Sequence, residues 1–232
     1  MDGFTRYAIY FAPPPGPFAR LGAAWLGWDA EAGRGAALGP ANSWPALPAP
    51  QRSLTERPRK YGLHGTLKPP FFLAEDRTVD GLHTTLSALA PRLHRVRTDA
   101  LRVRPLGRFL ALVPEGDTTA LNALAATCVE ALDSFRAPPT DDELARRRER
   151  ELTPRQDALL ASWGYPFVME EFRFHITLTG PLETDVRDAT AAAIAPVFEE
   201  AAGQPFRVDD ICLFGEGQDG RFRLLHRYPL SG

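Results

Sequence analysis

Cysteine is scarce in this sequence, and long apolar runs are absent. The two cysteines among the 232 residues, Cys128 and Cys212, each lie in an apolar segment, where we expect a buried thiol to act as a small hydrophobic side chain. No Cys-x-x-Cys pair or Cys/His cluster with zinc spacing occurs. No stretch approaches the roughly 18 apolar residues that a membrane-spanning helix needs. The pattern therefore argues against a disulfide framework and against a membrane partner.

The sequence also lacks a strong charge of either sign. It has 27 Lys and Arg against 29 Asp and Glu, for a formal net charge of -2. Without a basic field we expect no long nucleic acid as a partner, although a local cluster of cations can still bind a small anion. No secretory signal is evident near the N-terminus, so we expect a cytoplasmic protein. No pattern indicates the oligomeric state.

Hydrophobic periodicity predicts alternating strands and helices along the chain. We expect strands at 7–11, 63–68, 97–105, 108–114, 172–178, 206–214 and 221–228, and helices at 18–28, 78–93, 118–135, 141–163 and 185–202. Pro69 and Pro70 should end the second strand, and Pro196 should kink or split the last helix. Residues 33–58 predict a long loop with at most short helical turns, of a length that is usually functional or mobile. Whether it covers a ligand is left open.

Two short strings recur in the same order in both halves of the chain. His64-Gly65-Thr66-Leu67 precedes Gly107-Arg108-Phe109, and His175-Ile176-Thr177-Leu178 precedes Gly220-Arg221-Phe222. A duplicated β-α-β-β unit is the simplest account of this repeat. We therefore predict an α+β fold over residues 1–232, a single domain of two similar lobes. Mostly antiparallel sheets would flank a cleft between the lobes.

Each repeated string lies in a predicted strand, where alternate side chains face the same way. The faces that carry the histidines hold His64, Thr66 and Lys68 in one strand and Arg173, His175 and Thr177 in the other. The opposite faces are apolar. Each strand thus turns an apolar face to the core and presents an imidazole, a hydroxyl and a cation on its other side.

These residue types suit the hydrolysis of a phosphate ester. One imidazole near its neutral pKa can take a proton from water while the other gives a proton to the leaving oxygen. Threonine hydroxyls can bind the non-bridging phosphate oxygens, and the two cations can offset the charge that builds in the transition state. No metal ion or cofactor is required.

Each residue also has a structural interpretation. A lone histidine in a strand is usually a hydrogen-bonded or surface residue, and only the paired context favours catalysis for His64 and His175. Thr66 and Thr177 are of a type common in strands. Lys68 is also consistent with a solvated strand end, and Arg173 with an ion pair to Glu170 or Glu171. The charged run 146–151 predicts a solvated helix face.

The paired strings resemble the signature of the 2H phosphoesterase superfamily (LigT-like proteins). A further resemblance, to a branch labelled phosphonate metabolism proteins, covers almost the whole chain. It rests on Arg6–Tyr10, Tyr61–Phe71, Trp163–Pro166 and Phe172–Gly180. The resemblance implies a bilobal duplicated α+β fold with a central cleft. It implies His64 and His175 as catalytic residues and Thr66 and Thr177 as phosphate ligands.

The expected function is that of a metal-independent cyclic phosphodiesterase acting on a small phosphorylated substrate. Genes of this branch often lie in carbon–phosphorus lyase operons. By analogy, this makes a ribosyl 1,2-cyclic phosphate a candidate substrate. Lys68, Arg173, Tyr61 and Tyr165 are further candidate ligands, the tyrosines because each lies close to a His-x-Thr string. One alternative is an RNA-end 2′,3′-cyclic phosphodiesterase or ligase, which needs more basic surface. Another is a non-catalytic module that binds phosphorylated ligands, which needs cations more than paired imidazoles.

Overall fold

The computed structural model describes residues 3–38, 44, 46–149 and 151–232. Nine strands and seven α-helices lie within these ranges. The strands are β1 (Arg6–Phe11), β2 (Gly65–Phe71), β3 (Val96–Thr98), β4 (Leu101–Leu106), β5 (Phe109–Pro114), β6 (Ile176–Thr177), β7 (Phe206–Val208), β8 (Asp210–Glu216) and β9 (Phe222–Pro229). The helices are α1 (Pro17–Leu26), α2 (Gln51–Leu54), α3 (Val79–Leu89), α4 (Thr119–Ala131), α5 (Asp141–Arg148), α6 (Pro154–Trp163) and α7 (Thr184–Ala202).

The strands form one large sheet and one small one. Seven strands are joined in the order β4-β5-β6-β2-β1-β8-β9, and β3 pairs with β7 in a separate two-stranded sheet. Every pair of named strands is antiparallel. The predicted α+β class with mostly antiparallel sheets is confirmed. No helix in the described part of the chain is long and apolar enough to cross a membrane.

The two halves of the chain meet inside the large sheet, where β2 and β6 are neighbours. Their ladder pairs Gly65 with Ile176. Only two residues of the predicted strand 172–178 belong to β6, although the side chains around it still alternate between buried and accessible. The strands β3 and β7, which hold matching places in the two halves, also pair with each other. The division into two lobes stays a prediction.

Helices α1, α3, α4 and α7 pack against one face of the large sheet. The main hydrophobic core joins Trp25 of α1, Leu82 of α3 and Phe198 of α7 to inward-facing strand residues such as Ile9 and Ile176. A smaller apolar cluster lies on the other face and includes Ala8, Tyr10, Cys212, Phe214 and Phe222. Alternate residues of β1 and β8 therefore lie in the two clusters, because successive side chains of a strand point to opposite faces.

The prediction that Pro69 and Pro70 end the second strand was wrong, and the expected split of the last helix at Pro196 does not occur. The strand β2 continues through Pro69 and Pro70 to Phe71. Proline is tolerated there because the ladder to β6 ends at Gly65 and two register shifts interrupt the pairing with β1, so few backbone donors are needed. The helix α7 also runs unbroken past Pro196, which is exposed. Water can therefore satisfy the carbonyl that the proline leaves without a donor.

The charged segment 141–163 forms two helices. A Thr140/Glu143 capping box begins α5, and a Thr153/Gln156 capping box begins α6 with Pro154 at its first position. Proline is tolerated at this first helical position, and the segment holds two helices where one was predicted. In the predicted loop 33–58, Trp44 packs on Trp25 and Phe198 of the helix layer. Residues 39–43 and 45 lie outside the described residues.

A close contact between Gly65 and Phe174, the residue before the second repeated string, yields a stability prediction. A Cβ on Gly65 would lie 2.3 Å from Cζ of the Phe174 ring, which is buried in the core. We expect Gly65→Ala to force this ring to shift and to lower the free energy of unfolding by about 1–3 kcal/mol. Urea unfolding checks the change. Gly35→Ala is the matched control, because no atom lies within 4 Å of its added Cβ. Equal midpoints for the two variants would contradict the expectation.

Candidate active site

The strand register brings the two histidines and both threonines to one face of the large sheet. Gly65 lies directly opposite Ile176 in an antiparallel pair, so Thr66 lies opposite His175, and His64 opposite Thr177. Ile176 is fully buried in the core, and the residues on either side of it point the other way. We call the side of the sheet that carries these four side chains the histidine face.

The spacing of this pair of strands suits a phosphate group. Diagonal positions across an antiparallel pair are roughly 7–8 Å apart, which is the relation of His64 to His175. The positive charge of His175 lowers the pKa of His64, so the two rings are close enough to interact. A ligand between them would meet an imidazole on each side and a threonine hydroxyl beside each imidazole.

Both histidines are held by the same local contact. His64 Nδ1 lies 3.0 Å from the carbonyl oxygen of Gly62, and His175 Nδ1 lies 2.8 Å from that of Arg173. Because a carbonyl can only accept, each Nδ1 carries the proton. In the neutral ring this leaves the lone pair on Nε2, the nitrogen needed by a general base.

Burial makes both histidines weaker bases than expected from the sequence. It lowers the pKa of His64 from 6.5 to about 4; the Gly62 carbonyl raises it and the charge of His175 lowers it further. Burial also lowers the pKa of His175, against the opposing effect of the Arg173 carbonyl. Near neutral pH both rings are therefore uncharged, and an anion placed between them would favour protonation of one.

The two threonines are available to a ligand. Thr66 and Thr177 are half-buried, and neither hydroxyl makes a hydrogen bond to another described residue. A hydroxyl can donate to a phosphate oxygen. Their role as phosphate ligands stays a prediction.

Lys68 does not share the histidine face, and this expectation was wrong. Its Nζ donates to the carbonyl of Val129 at 3.0 Å and lies 3.6 Å from Oδ1 of Asp133. The side chain is 2% exposed. A β-bulge is the cause: Thr66 pairs with Tyr10 but Lys68 pairs with Ile9, so the extra residue, Leu67, reverses the alternation. Lys68 turns toward α4 and cannot reach a phosphate between the histidines.

The cation of the other strand is exposed. Arg173 Nη1 donates to the backbone carbonyls of Glu170 and Phe172. The suggested ion pairs are absent: the carboxylate of Glu170 pairs with Arg155, and that of Glu171 accepts from Gln156. Contact of Arg173 with a substrate stays a prediction.

Tyrosine rings surround His64 on the histidine face. The Tyr10 ring centroid lies 4.1 Å from that of His64, and the Tyr61 centroid lies 5.3 Å away. Tyr61 also stacks on Phe222 at 4.9 Å. Burial raises the pKa of Tyr10, and the phenol groups of Tyr61 and Tyr165 raise it further, so both predicted tyrosines lie within electrostatic range of Tyr10. Tyr10 itself was not among the predicted site residues, because its segment has only the pattern of a buried strand.

Two arginines that were not predicted as site residues lie beside these tyrosines. Arg6 forms a two-point ion pair with Glu216, at 2.6 and 2.8 Å. Arg147 of α5 lies over the Tyr165 ring, with Cζ 5.0 Å from its centroid, and its charge interacts with Arg6. Arg147 is half-buried, which differs from the solvated face predicted for the run 146–151. The pattern of alternating charges gives no signal of this contact.

A metal site is not evident. In the described ranges, no group of three or more His, Cys, Asp or Glu side chains is placed to hold a metal ion.

This chain is similar to a protein family, to curated relatives and to solved structures. A family profile described as "Protein of unknown function (DUF1045)" matches residues 66–223. A curated relative from Janthinobacterium sp. (strain Marseille), named "Ribose 1,5-bisphosphate phosphokinase PhnN", is 38% identical over 245 residues, covering 100% of this chain and 52% of the relative. A relative of the same name from Laribacter hongkongensis (strain HLHK9) is 40% identical over 224 residues, covering 94% and 50%. The chain spans about half the length of these relatives.

The solved structures similar to this chain include LigT of Escherichia coli in its apo form, with 18% identity, a TM-score of 0.42 and 98% of both chains covered. Another is a structure titled "Crystal structure of phosphoesterase", with 18% identity, a TM-score of 0.42 and 99% of both chains covered. TM-scores this low do not by themselves establish a shared fold. The α+β assignment rests on the strands and helices of the chain itself.

Burial of Lys68 predicts a specific pH dependence of stability. Burial lowers the pKa of Lys68 from 10.5 to about 8 in the folded protein. Between these pH values the unfolded chain holds a proton that the folded chain has released, so the free energy of unfolding rises with pH. We expect Lys68→Met to lose this rise, which amounts to at most about 3 kcal/mol. Urea unfolding of both proteins at several pH values in this window checks it. Parallel curves would show that Lys68 titrates normally.

Proposed function

Since this chain belongs to the family described as "Protein of unknown function (DUF1045)", we propose an activity from its site: a phosphoesterase that hydrolyses a small cyclic phosphodiester. One observation carries the proposal. The register of β2 against β6 puts two histidines and two threonines on one face, with both imidazoles anchored through Nδ1 to the carbonyl two residues earlier. A structural histidine has no need of a matched partner with the same tether.

The roles of the two histidines follow from their surroundings. With a pKa of about 4, His64 is neutral over most of the pH range and suits the general base. Its Nε2 takes a proton from water as the water oxygen bonds to phosphorus. His175 gives its proton to the ester oxygen as the other P–O bond breaks, and the product is a phosphomonoester. Thr66 and Thr177 donate to the non-bridging oxygens, whose charge grows in the transition state.

The substrate we propose is a ribosyl cyclic phosphate. Two curated relatives are named for a ribose bisphosphate substrate, and this chain matches about half of each. In these relatives, the half that matches this chain is joined to a second half in one polypeptide. A domain that acts on a related ribose phosphate would fit beside such a second half. A compact sugar phosphate also suits a site bordered by the rings of Tyr10 and Tyr61.

Alanine substitution tests the two catalytic histidines. We expect His64→Ala and His175→Ala each to lower kcat by about 10²–10⁴-fold, because each removes one proton transfer. The assay is phosphorus NMR of ribosyl 1,2-cyclic and nucleoside 2′,3′-cyclic phosphates in EDTA, since the mechanism uses no metal ion. The exposed His94 gives the control variant His94→Ala, which should keep the wild-type rate. A near wild-type rate in either catalytic variant would remove that residue from the mechanism.

The pKa directions predict an acidic activity optimum for the free enzyme. Activity should fall as pH drops through the pKa of His64, about 4, because the base becomes protonated. It should also fall as pH rises through the pKa of His175, which burial holds below 6.5, because the acid loses its proton. We therefore expect a bell-shaped profile of kcat/KM with both limbs below pH 6.5. An alkaline limb well above that value would contradict these roles.

A further inference from the structure

A buried hydroxyl without a partner lies beside the histidine pair. Tyr10 is 0% exposed, and its Oη has no hydrogen-bond partner among the described residues. Such a group costs stability unless something binds it. The ring lies 4.1 Å from that of His64 and packs on Phe214 at 5.0 Å, so its position is fixed. A phenol held in this way next to a candidate active site is suited to donate to a ligand.

A half-buried cation lies on the same side. Arg147 makes no ion pair with a carboxylate within 4.0 Å in the part of the chain described, and its guanidinium covers the Tyr165 ring. Its neighbour Arg148 is paired with Asp157. Taking a guanidinium partly out of water is unfavourable unless an anion offsets the loss of hydration. Arg147 therefore resembles an anion ligand more than a stabilising surface residue.

The charge around these groups is positive on balance. The positive side chains that interact electrostatically with the tyrosines or with one another are Arg6, Lys60 and Arg147. The acidic side chains among them are Glu216 and Glu143. Lys60 Nζ lies 4.7 Å from the Tyr61 ring centroid. With Arg146, which is exposed but also acts on Arg147, four cations lie near two carboxylates. Beside two uncharged imidazoles, this is where an anionic group of a substrate is best accommodated.

We propose that Tyr10 Oη, Arg147 and Arg6 form an anion subsite next to the histidine pair, and that it binds a second phosphate carried by the substrate. The inference rests on the proposed function and deepens it. The substrate class becomes a cyclic phosphodiester that also bears a phosphomonoester. The cyclic phosphorus lies between His64 and His175, and the monoester lies against Tyr10 and the arginines. Because Tyr10 is fully buried in the free protein, binding of the monoester requires the side chains around its hydroxyl to move.

The subsite has a signature that combines stability and binding. Tyr10→Phe removes a buried hydroxyl that has no partner, so the free protein should become more stable and melt at a higher temperature. The same change removes a donor to the phosphate, so ligand affinity should fall. A tyrosine with a purely structural role would not give these opposite effects.

The binding test uses ribose 5-phosphate, a monoester that the enzyme cannot turn over by the proposed reaction. Calorimetry should show affinity about 10- to 100-fold weaker for Arg147→Ala than for wild type, the range for a lost charge-assisted hydrogen bond. Arg146→Ala is the matched control, because Arg146 is exposed on the same helix, and should bind as wild type. His175→Ala should keep the dependence on Arg147, because the monoester does not need the histidine pair.

The kinetic test compares adenosine 2′,3′-cyclic phosphate with its 5′-phosphorylated form. In wild type the added phosphate should raise kcat/KM by about 10- to 100-fold. Arg147→Ala should abolish this preference, and the control Arg146→Ala should keep it. Equal affinity of wild type and Arg147→Ala for ribose 5-phosphate, or no binding by either, overturns the subsite. Binding that depends on Arg147 without turnover of any cyclic phosphate keeps the subsite and removes the hydrolase.

Discussion

The pairing of β2 with β6 is the contact on which the candidate site depends. It is a short ladder, centred on Gly65 and Ile176, yet it joins residues more than a hundred positions apart in the sequence. With those two residues facing the core, the neighbours on both strands face the opposite side. The pairing thus creates a constellation that neither half of the chain possesses alone. Phe174, packed against Gly65, fixes how closely the two strands approach.

Sequence patterns predict the fold class and the shared sheet face of the two histidines, and the reason is physical. The period-two alternation of side chains and the repeat of His-x-Thr-Leu are both local, and both survive in the structure. Lys68 shows where the same logic fails, because a bulge depends on how β1 and β2 fit together and leaves no mark in the β2 sequence. The expected split of the last helix at Pro196 does not occur either, since solvent exposure decides whether a helix tolerates proline. The positions of Tyr10 beside His64 and of Arg147 over Tyr165 come from tertiary contacts that no local pattern encodes.

The electrostatics of the site depend on burial more than on charge. Near neutral pH both imidazoles are uncharged because burial lowers their pKa values, and their Nδ1 atoms donate to backbone carbonyls. A neutral pair of this kind gives little attraction to an anion by itself. The cations lie to one side, around Tyr61 and Tyr165. The groups that we propose to transfer protons are therefore separate from the groups that we propose to attract the ligand.

The bulge at Leu67 has a consequence for folding fidelity. Before it, β2 turns Thr66 away from the helices, and after it the same strand buries Lys68 and Phe71 beneath them. A slip of β2 by one position along β1 would turn side chains before the bulge toward the helices. It would turn side chains after the bulge away from them. A one-residue shift does not satisfy both segments, so the bulge fixes the alignment of the strand that directly follows His64.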